Sequence, residues 1–484
     1  MTLINKLTLQ ADVTLRDAMQ AIDENAQGVC FVLQEGRLMG IVTDGDARRA
    51  LLNGSKLNDN IQTVMKKAFF SLPINSPITL IQQKFKQYKY IPIINNIGEM
   101  VDLATPDRYH QIPLVQPELG GNELEYVTDC IQTSWISSQG KYVRQFEESF
   151  GEYVGCLNTL AVSNGTVALH LALVALGVGP GDEVIVPDLT FAATINAILY
   201  TGATPVLVDV DPMTMVIESE LVTAAVTNRT KAILPVHLYG YPAELEKLMA
   251  IANQYNLLVI EDCAEALGSV YQGAHVGTFG DAAIFSFFGN KTITTGEGGM
   301  LLFKNRSILD RAKILRDHGM SPKRRYWHEE VGYNYRLTNL QAAIGVAQLE
   351  RIDFFIDKKR WIASEYNKHF VEITQVQLPM EPPGRHSFNS YWLYTIILST
   401  EYVHRRDEIL NYLANHGIEA RPVFIPMHRM PPYLQYSQPN EKYNSSNHLS
   451  DGGISLPSSI SITEIEIKNI CASFLAALLS DVAK

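Results

Sequence analysis

Residues 257–262 read LLVIED and residues 282–288 read AAIFSFF. Each is a short, continuous apolar run, too short for a buried helix and closed off by polar residues. Such runs fit strands buried on both faces, as in parallel sheets covered by helices. On the N-terminal side, EVIVP (183–187), TPVLVDV (204–210) and KAILPVHLY (231–239) repeat the theme. Residues 243–254 have a helical pattern, residues 123–133 look helical, and VALHLALVA (167–175) is an apolar helix. On the C-terminal side, GMLLFKN (299–305) follows AAIFSFF across TITTGEGG (292–299). This alternation predicts an α/β fold with a mostly parallel central sheet. Beyond about residue 360 a strand (YWLYTIIL, 391–398) and a helix (406–416) predict a small α+β lobe.

The first 110 residues follow another plan. Apolar runs at 29–33 and 38–42 flank a turn at Glu35-Gly36 and lead into Thr43-Asp44-Gly45-Asp46 and ARRALL. That is a hairpin running into a capped helix. IPII, a turn at 95–98, MVDLA and a Pro106-Asp107 helix start repeat it. The two units resemble a pair of CBS domains, an α+β module. Gly40, Thr43 and Asp46 match that family's Gly-x-x-Thr-x-x-Asp motif, which implies an adenine nucleotide with its phosphate and ribose against Thr43 and Asp46. The second copy has Val101 and Ala104 at the glycine and threonine positions and keeps only Asp107, so one nucleotide site is the most the module could hold. A docking or oligomerisation module with Asp46 merely capping a helix is the preferred reading, since capping carboxylates are common. Pro106, Pro113 and Pro117 mark a linker. The expected domains are 1–110, 114–360 and 361–484.

The 484 residues are 46% hydrophobic and 19% charged, which excludes a disordered or fibrous chain. Lys and Arg total 40 against 51 Asp and Glu, a net charge of −11 with no basic tract. Neither nucleic acid nor an anionic membrane is an expected partner. A local nest of N–H groups can still hold a phosphate. Cys30, Cys130, Cys156, Cys263 and Cys471 are scattered and form no CxxC, so neither a disulfide framework nor a metal site is expected. The opening MTLINKLTLQ lacks the apolar region of a signal peptide, and the apolar stretch 167–178 is too short to span a bilayer. The expectation is a soluble cytoplasmic protein.

Lys291 lies in FSFFGNKTITTGEGG (285–299), before a glycine-rich loop. Taken alone it reads as a turn lysine with a solvated ammonium, and GNKT is not the G-x-x-x-x-G-K-[ST] of a P-loop. Asp262 ends LLVIED, at what would be the carboxyl edge of the sheet, where ligands of such folds bind. Alone, it reads as a helix cap. A strand-end carboxylate with a lysine 29 residues on suits a pyridinium cofactor, the carboxylate pairing with the protonated ring nitrogen. Ser163-Asn164-Gly165-Thr166 precede a helix and offer free N–H groups to an anion, and Ser286 would add a hydroxyl. Phe191 follows a strand end and either stacks on a flat ring or packs in the core.

In order, SNGTVAL (163–169), EVIVPDLTFAAT (183–194), VHLYG (236–240), EDCAEALGS (261–269), SFFGNKTITTGEGG (286–299) and GYNYRLTNLQAAIG (332–345) resemble the DegT/DnrJ/EryC1/StrS family from about residue 114 onward. Its members are fold type I sugar aminotransferases that use pyridoxal 5'-phosphate. The resemblance implies that Lys291 forms the Schiff base, Asp262 pairs with the pyridine nitrogen and Glu265 sits near the cofactor's O3′. It further implies that Gly165, Thr166 and Ser286 bind the phosphate and that Phe191 faces the ring. Asn334 would reach the neighbouring subunit's cofactor, in a homodimer or larger homo-oligomer with shared sites. L-glutamate is the implied donor, and C4 of a nucleotide-linked 4-keto-6-deoxysugar the acceptor. SFFGNK and RPVFIPMHRMP (421–431) look most like the GDP-perosamine synthases of that family. That implies GDP-4-keto-6-deoxymannose as acceptor and a role in surface-polysaccharide (O-antigen) biosynthesis. Trp135, Ser137 and Ser138 fall in a segment that borders the sugar in the family, with His237, Arg421 and His428 as further candidates. Each of these is equally a packing or surface residue. Some relatives carry histidine in place of the lysine and dehydrate the sugar, and the intact Lys291 favours transamination. Two alternatives remain at this stage. One is a nucleotide-sugar dehydratase, the other a CBS-regulated nucleotide-binding protein on a non-catalytic scaffold.

Overall fold

The computed structural model describes residues 6–106, 109, 111–384 and 386–479, apart from the side chain of Thr79. The chain divides into two compact units, Met1–Gln111 with Ala414–Gly417, and Ile112–Leu413 with Ile418–Lys484.

The N-terminal unit contains two three-stranded sheets of one design. Strand β1 (Thr8–Gln10) runs parallel to β2 (Val29–Gln34), which pairs antiparallel with β3 (Arg37–Thr43). Likewise β4 (Leu72–Pro73) runs parallel to β5 (Ile91–Ile94), which pairs antiparallel with β6 (Met100–Ala104). Asp107 lies outside the described residues. The motif residues of the first copy have local roles. A Cβ on Gly40 would stand 2.8 Å from the Lys66 carbonyl oxygen, because the backbones of Ile41 and Lys66 exchange hydrogen bonds there. Thr43 and Asp46 form a reciprocal capping box on the helix Asp44–Leu52: the Asp46 N–H donates to Thr43 Oγ1, and the Thr43 N–H donates to Asp46 Oδ2. The second Asp46 oxygen meets Arg49 at 2.6 Å and Lys66 at 2.8 Å. Burial opposes the charge on Asp46, but its bonds from Lys66, Thr43 and Arg49 outweigh that and hold the pKa down to about 2.

In the C-terminal unit, β7 (Thr159–Val162), β8 (Glu183–Pro187), β9 (Thr204–Val208), β10 (Thr230–Ile233) and β11 (Leu258–Asp262) precede a short hairpin, β12 (Val270–Tyr271) and β13 (Ala274–His275). Then come β14 (Ala282–Ser286) and β15 (Gly299–Phe303). Seven of these form one sheet in the order β7-β15-β14-β11-β10-β8-β9. Pairing is parallel from β14 to β9 and antiparallel on both sides of β15. Alternate residues serve opposite faces, which explains why the strands read as unbroken apolar runs. Val184, Val186, Ile260 and Ile284 pack with Leu169 and Leu173 of the helix Gly165–Ala175. Ile185, Ile233 and Val259 pack with Leu248 and Ala252 of the helix Leu245–Tyr255.

The C-terminal lobe has a four-stranded antiparallel sheet. Its strands are β16 (Val376–Gln377), β17 (Tyr394–Leu398), β18 (Arg421–Pro422) and β19 (Gly453–Leu456), in the order β16-β17-β19-β18. It packs on the helices Ile352–Phe370 and Glu464–Leu479, the first of which runs unbroken across residue 360. The strand expected from residue 391 starts only at Tyr394. Tyr391 adopts a left-handed conformation, φ 52°, which turns the chain and keeps Trp392 and Leu393 out of the ladder. Among the described residues all five cysteines are free, and no helix is long and apolar enough to cross a membrane.

The Asp46 interactions have a testable sign. A depressed folded pKa gives stability that is complete above the unfolded value near 4 and is lost as pH falls towards 2. Asp46→Asn is expected to cost about 2 kcal/mol in urea unfolding of the full chain at neutral pH. The deficit should shrink as pH falls below 4. A deficit independent of pH would show that the ion pairs do not hold this carboxylate.

Candidate active site

Strands β11 and β14 are parallel neighbours, with Asp262 opposite Ile284. Asp262 and Ser286 therefore end on one edge of the sheet, and Lys291 follows five residues after Ser286. Lys291 Nζ lies 3.2 Å from Glu265 Oε1 and 3.7 Å from the centroid of the Trp392 ring. Glu265 Oε2 accepts the Tyr239 N–H at 3.1 Å. Asp262 is buried. Its Oδ2 accepts the Thr194 hydroxyl at 2.9 Å and its Oδ1 the Ala264 N–H at 3.1 Å. The Thr190 hydroxyl is 3.0 Å from that of Thr194. Burial pushes the pKa of both Asp262 and Glu265 up, and the charge of Lys291 pulls against it in each. Among the described residues no cation stands within ion-pair distance of Asp262, so this desolvated carboxylate suits a protonated ring nitrogen.

The helix Gly165–Ala175 begins beside Ser286. Its N-cap Asn164 accepts the Val167 N–H at 3.0 Å, and the amides of Gly165 and Thr166 have no acceptor within the helix. A Cβ on Gly165 would lie 3.0 Å from the Ser286 Cβ and 3.2 Å from its Oγ. A Cβ on Gly299 would lie 2.7 Å from the Asn164 carbonyl oxygen. Both glycines thus let the helix start approach the ends of β14 and β15. Two backbone amides with the hydroxyls of Thr166 and Ser286 make a cradle that fits a phosphate.

Phe191 is 58% exposed, directly before the helix Ala192–Tyr200, and Thr194 stands three residues on, on the same helical face. A row of aromatic rings leads from it to the lysine. Phe191 meets Phe424 at 5.7 Å, Phe424 stacks on Tyr239 at 5.7 Å, and Tyr239 stacks on Trp392 at 6.0 Å. The Trp392 indole N–H donates to the Asn290 carbonyl at 2.7 Å. Sequence reasoning missed Thr194, Tyr239, Trp392 and Phe424. The spacing from Phe191 marks Thr194, whereas the other three come from distant segments that only folding brings together.

The sugar-contact candidates divide. Trp135, 57% exposed, and the exposed Ser137 belong to a surface segment whose carbonyls accept hydrogen bonds from Asn339, while Ser138 is half-buried. Arg421 is exposed on β18 and pairs with Glu419 at 2.7 Å. Asn334 is exposed beside Tyr335, whose carbonyl accepts the Ser163 N–H at 2.9 Å. His237 and His428 are both buried, and each ring has both nitrogens hydrogen-bonded within the chain. His237 Nδ1 accepts the Ala243 N–H at 2.9 Å, so Nε2 carries the proton towards Glu261 at 3.2 Å. Glu261 also accepts the amides of Gly277, Phe279 and Gly280. Ligand atoms of His237, Glu261 and Cys263 lie within 4.8 Å of one another, a metal-like spacing, yet these bonds already occupy both Glu261 oxygens and both ring nitrogens. His428 bonds Asp188 at 2.7 Å and Asn440 at 2.9 Å and stacks on Tyr443 at 4.3 Å. Burial disfavours its charged form, but Asp188 and Asn440 outweigh that and raise its pKa.

The chain's sequence and fold match those of known proteins. Residues 117–475 match the DegT/DnrJ/EryC1/StrS aminotransferase family, and residues 3–53 match the CBS domain. The chain is 48% identical over 362 residues to the GDP-perosamine synthase of Escherichia coli O157:H7, covering 75% of this chain and 97% of that one. It is 46% identical over 365 residues to the GDP-perosamine synthase of Caulobacter vibrioides, with 75% and 97% covered. Among solved structures, the aminotransferase TlmJ of Streptoalloteichus hindustanus superposes with a TM-score of 0.72 at 28% identity, over 76% of this chain and 99% of that one.

Glu261 offers a test of the buried cluster. Glu261→Leu strands three backbone amides and is expected to lower stability by about 3 kcal/mol or more in urea unfolding. A chelator should leave the Tm of the unaltered protein unchanged. A chelator-sensitive Tm would instead assign an ion to the cluster.

Proposed function

Because the chain belongs to the DegT/DnrJ/EryC1/StrS aminotransferase family, we propose that it moves an amino group from L-glutamate to C4 of GDP-4-keto-6-deoxymannose, giving GDP-perosamine. The observation that carries this reading is the identity of 46–48% with GDP-perosamine synthases along 97% of their length. The edge geometry around Lys291 and Asp262 is consistent with it. A cytoplasmic homodimer with shared sites, serving surface-polysaccharide synthesis, completes the proposal.

The family uses pyridoxal 5'-phosphate, whose ring is the electron sink for the carbon that loses or gains the amine. In this chain Lys291 would hold the aldehyde carbon, and Asp262 the ring nitrogen. Gly165, Thr166 and Ser286 would hold the phosphate, Glu265 would lie near O3′ and Phe191 would face the ring. Asn334 would serve the neighbouring subunit. The Lys291 amine would move the proton between glutamate Cα and the cofactor's C4′. In the second half-reaction it would deliver a proton to C4 of the sugar. Glu265, 3.2 Å from the amine, accepts a hydrogen bond from it and would orient it. The Thr194 and Ala264 bonds to Asp262 favour its ionised form against burial. Lys291 in place of histidine favours transfer over dehydration.

We also propose that the N-terminal unit is a docking or oligomerisation module, supported by the engagement of Thr43 and Asp46 within the chain. Calorimetry with AMP, ATP and S-adenosylmethionine is expected to show no binding. Tight binding that alters turnover would reverse this.

The test of function is product analysis. Incubation with glutamate and GDP-, dTDP- and UDP-linked 4-keto-6-deoxysugars should yield an amino sugar and one equivalent of 2-oxoglutarate from the GDP sugar. Lys291→Ala should lower turnover by about 10³-fold or more. A dehydrated sugar formed without glutamate consumption would overturn the assignment.

A further inference from the structure

Lys359 is buried on the helix Ile352–Phe370, and no carboxylate pairs with it among the described residues. Its Nζ donates instead to two carbonyls, those of Trp392 at 2.9 Å and Ser458 at 2.7 Å. An amine without a counter-ion is costly to bury, and burial pushes its pKa down to about 7. The fold therefore retains an expensive group at this point, where methionine could fill similar space.

Its two acceptors explain the location. Trp392 lies two residues before β17 and Ser458 two residues after β19, and these strands pair with Tyr394 opposite Leu456. The left-handed turn at Tyr391 takes Trp392 out of the ladder, so Lys359 supplies the partner that its carbonyl lacks in the sheet. Trp392 then meets the active-site loop twice. Its ring lies 3.7 Å from Lys291 Nζ, and its indole N–H holds the carbonyl of Asn290, the residue before Lys291. Lys359 and Lys291 also line one small cavity.

The geometry points to Lys359 as a positioning residue for Lys291, acting through Trp392. Lys359 fixes the peptide of Trp392, Trp392 fixes the loop and covers the amine, and the amine stays beside Glu265. This rests on the reading of Lys291 as the cofactor-bearing lysine. Misplacing a reacting group by about 1 Å can cost on the order of a hundredfold in rate, so a clamp two contacts away can matter to turnover.

The test uses the full chain loaded with pyridoxal phosphate. Lys359→Met is expected to shift the pH midpoint of the visible absorbance and to lower kcat about tenfold, with KM for glutamate little changed. Apart from Lys359 itself, the titratable groups around Lys291, namely Glu265, Asp262 and Glu118 of the shared cavity, are untouched by the substitution, and Trp392→Phe leaves all four in place. Trp392→Phe should give the same shift, and the double variant should add little to either, because the two residues act in series. A Lys359→Met protein that loses only Tm, with midpoint and kcat intact, would overturn the proposal, as would additive shifts. If Lys359→Met does not fold, an unchanged midpoint in Trp392→Phe overturns it equally, and a shifted midpoint supports it. Absence of a borohydride-sensitive visible band in the unaltered protein would instead remove the reading of Lys291, which separates the two failures.

Discussion

The pairing of β11 with β14 is the constraint on which the site depends. Their parallel register sets Asp262 beside Ile284 and brings a carboxylate, a serine and the loop bearing Lys291 to one edge. The register is held by burial on both faces. Ile260 and Ile284 face one core, while Val259, Ala283 and Phe285 face others. A slip of one residue would exchange the two faces of a strand, and each fully buried apolar side chain is worth about 1.5–3 kcal/mol. The candidate edge is therefore specified by ordinary packing several residues away from Asp262 and Lys291.

The same burial sets the electrostatics. Asp262 and Glu265 are desolvated, which alone would favour their neutral forms. Hydrogen bonds from Thr194, Ala264 and Tyr239 and the nearby charge of Lys291 oppose that tendency. A pyridinium ring nitrogen would complete the balance at Asp262. The cofactor's charge distribution and the edge's unmet requirement are complementary, and in a dry site such complementarity is strong.

Much of this was legible in the sequence. Continuous runs such as LLVIED and EVIVP could only be buried strands, and their order implied where Asp262 and Lys291 would end. The closeness of Gly165 to Ser286 was legible because a glycine at a helix start and a strand-end hydroxyl have few competing uses. The buried partners of His237 and His428 were not, because a histidine near a strand end looks the same in sequence whether it meets a ligand or a buried carboxylate. The structure pairs these histidines with Glu261, in β11, and Asp188, the residue after β8. Trp392 was hidden by a single backbone angle at Tyr391, which no periodicity announces. The Thr43–Asp46 spacing is ambiguous for a different reason, since a capping box and a nucleotide motif use the same residues at the same interval.

The central claim is that Lys291 carries the cofactor at the β11/β14 edge. It is tested most directly by reducing the loaded protein with borohydride, digesting it and locating the added mass by mass spectrometry. The account requires a single pyridoxyl adduct on the peptide containing Lys291. An adduct on Lys359 or on a surface lysine, with Lys291 unmodified, would contradict it.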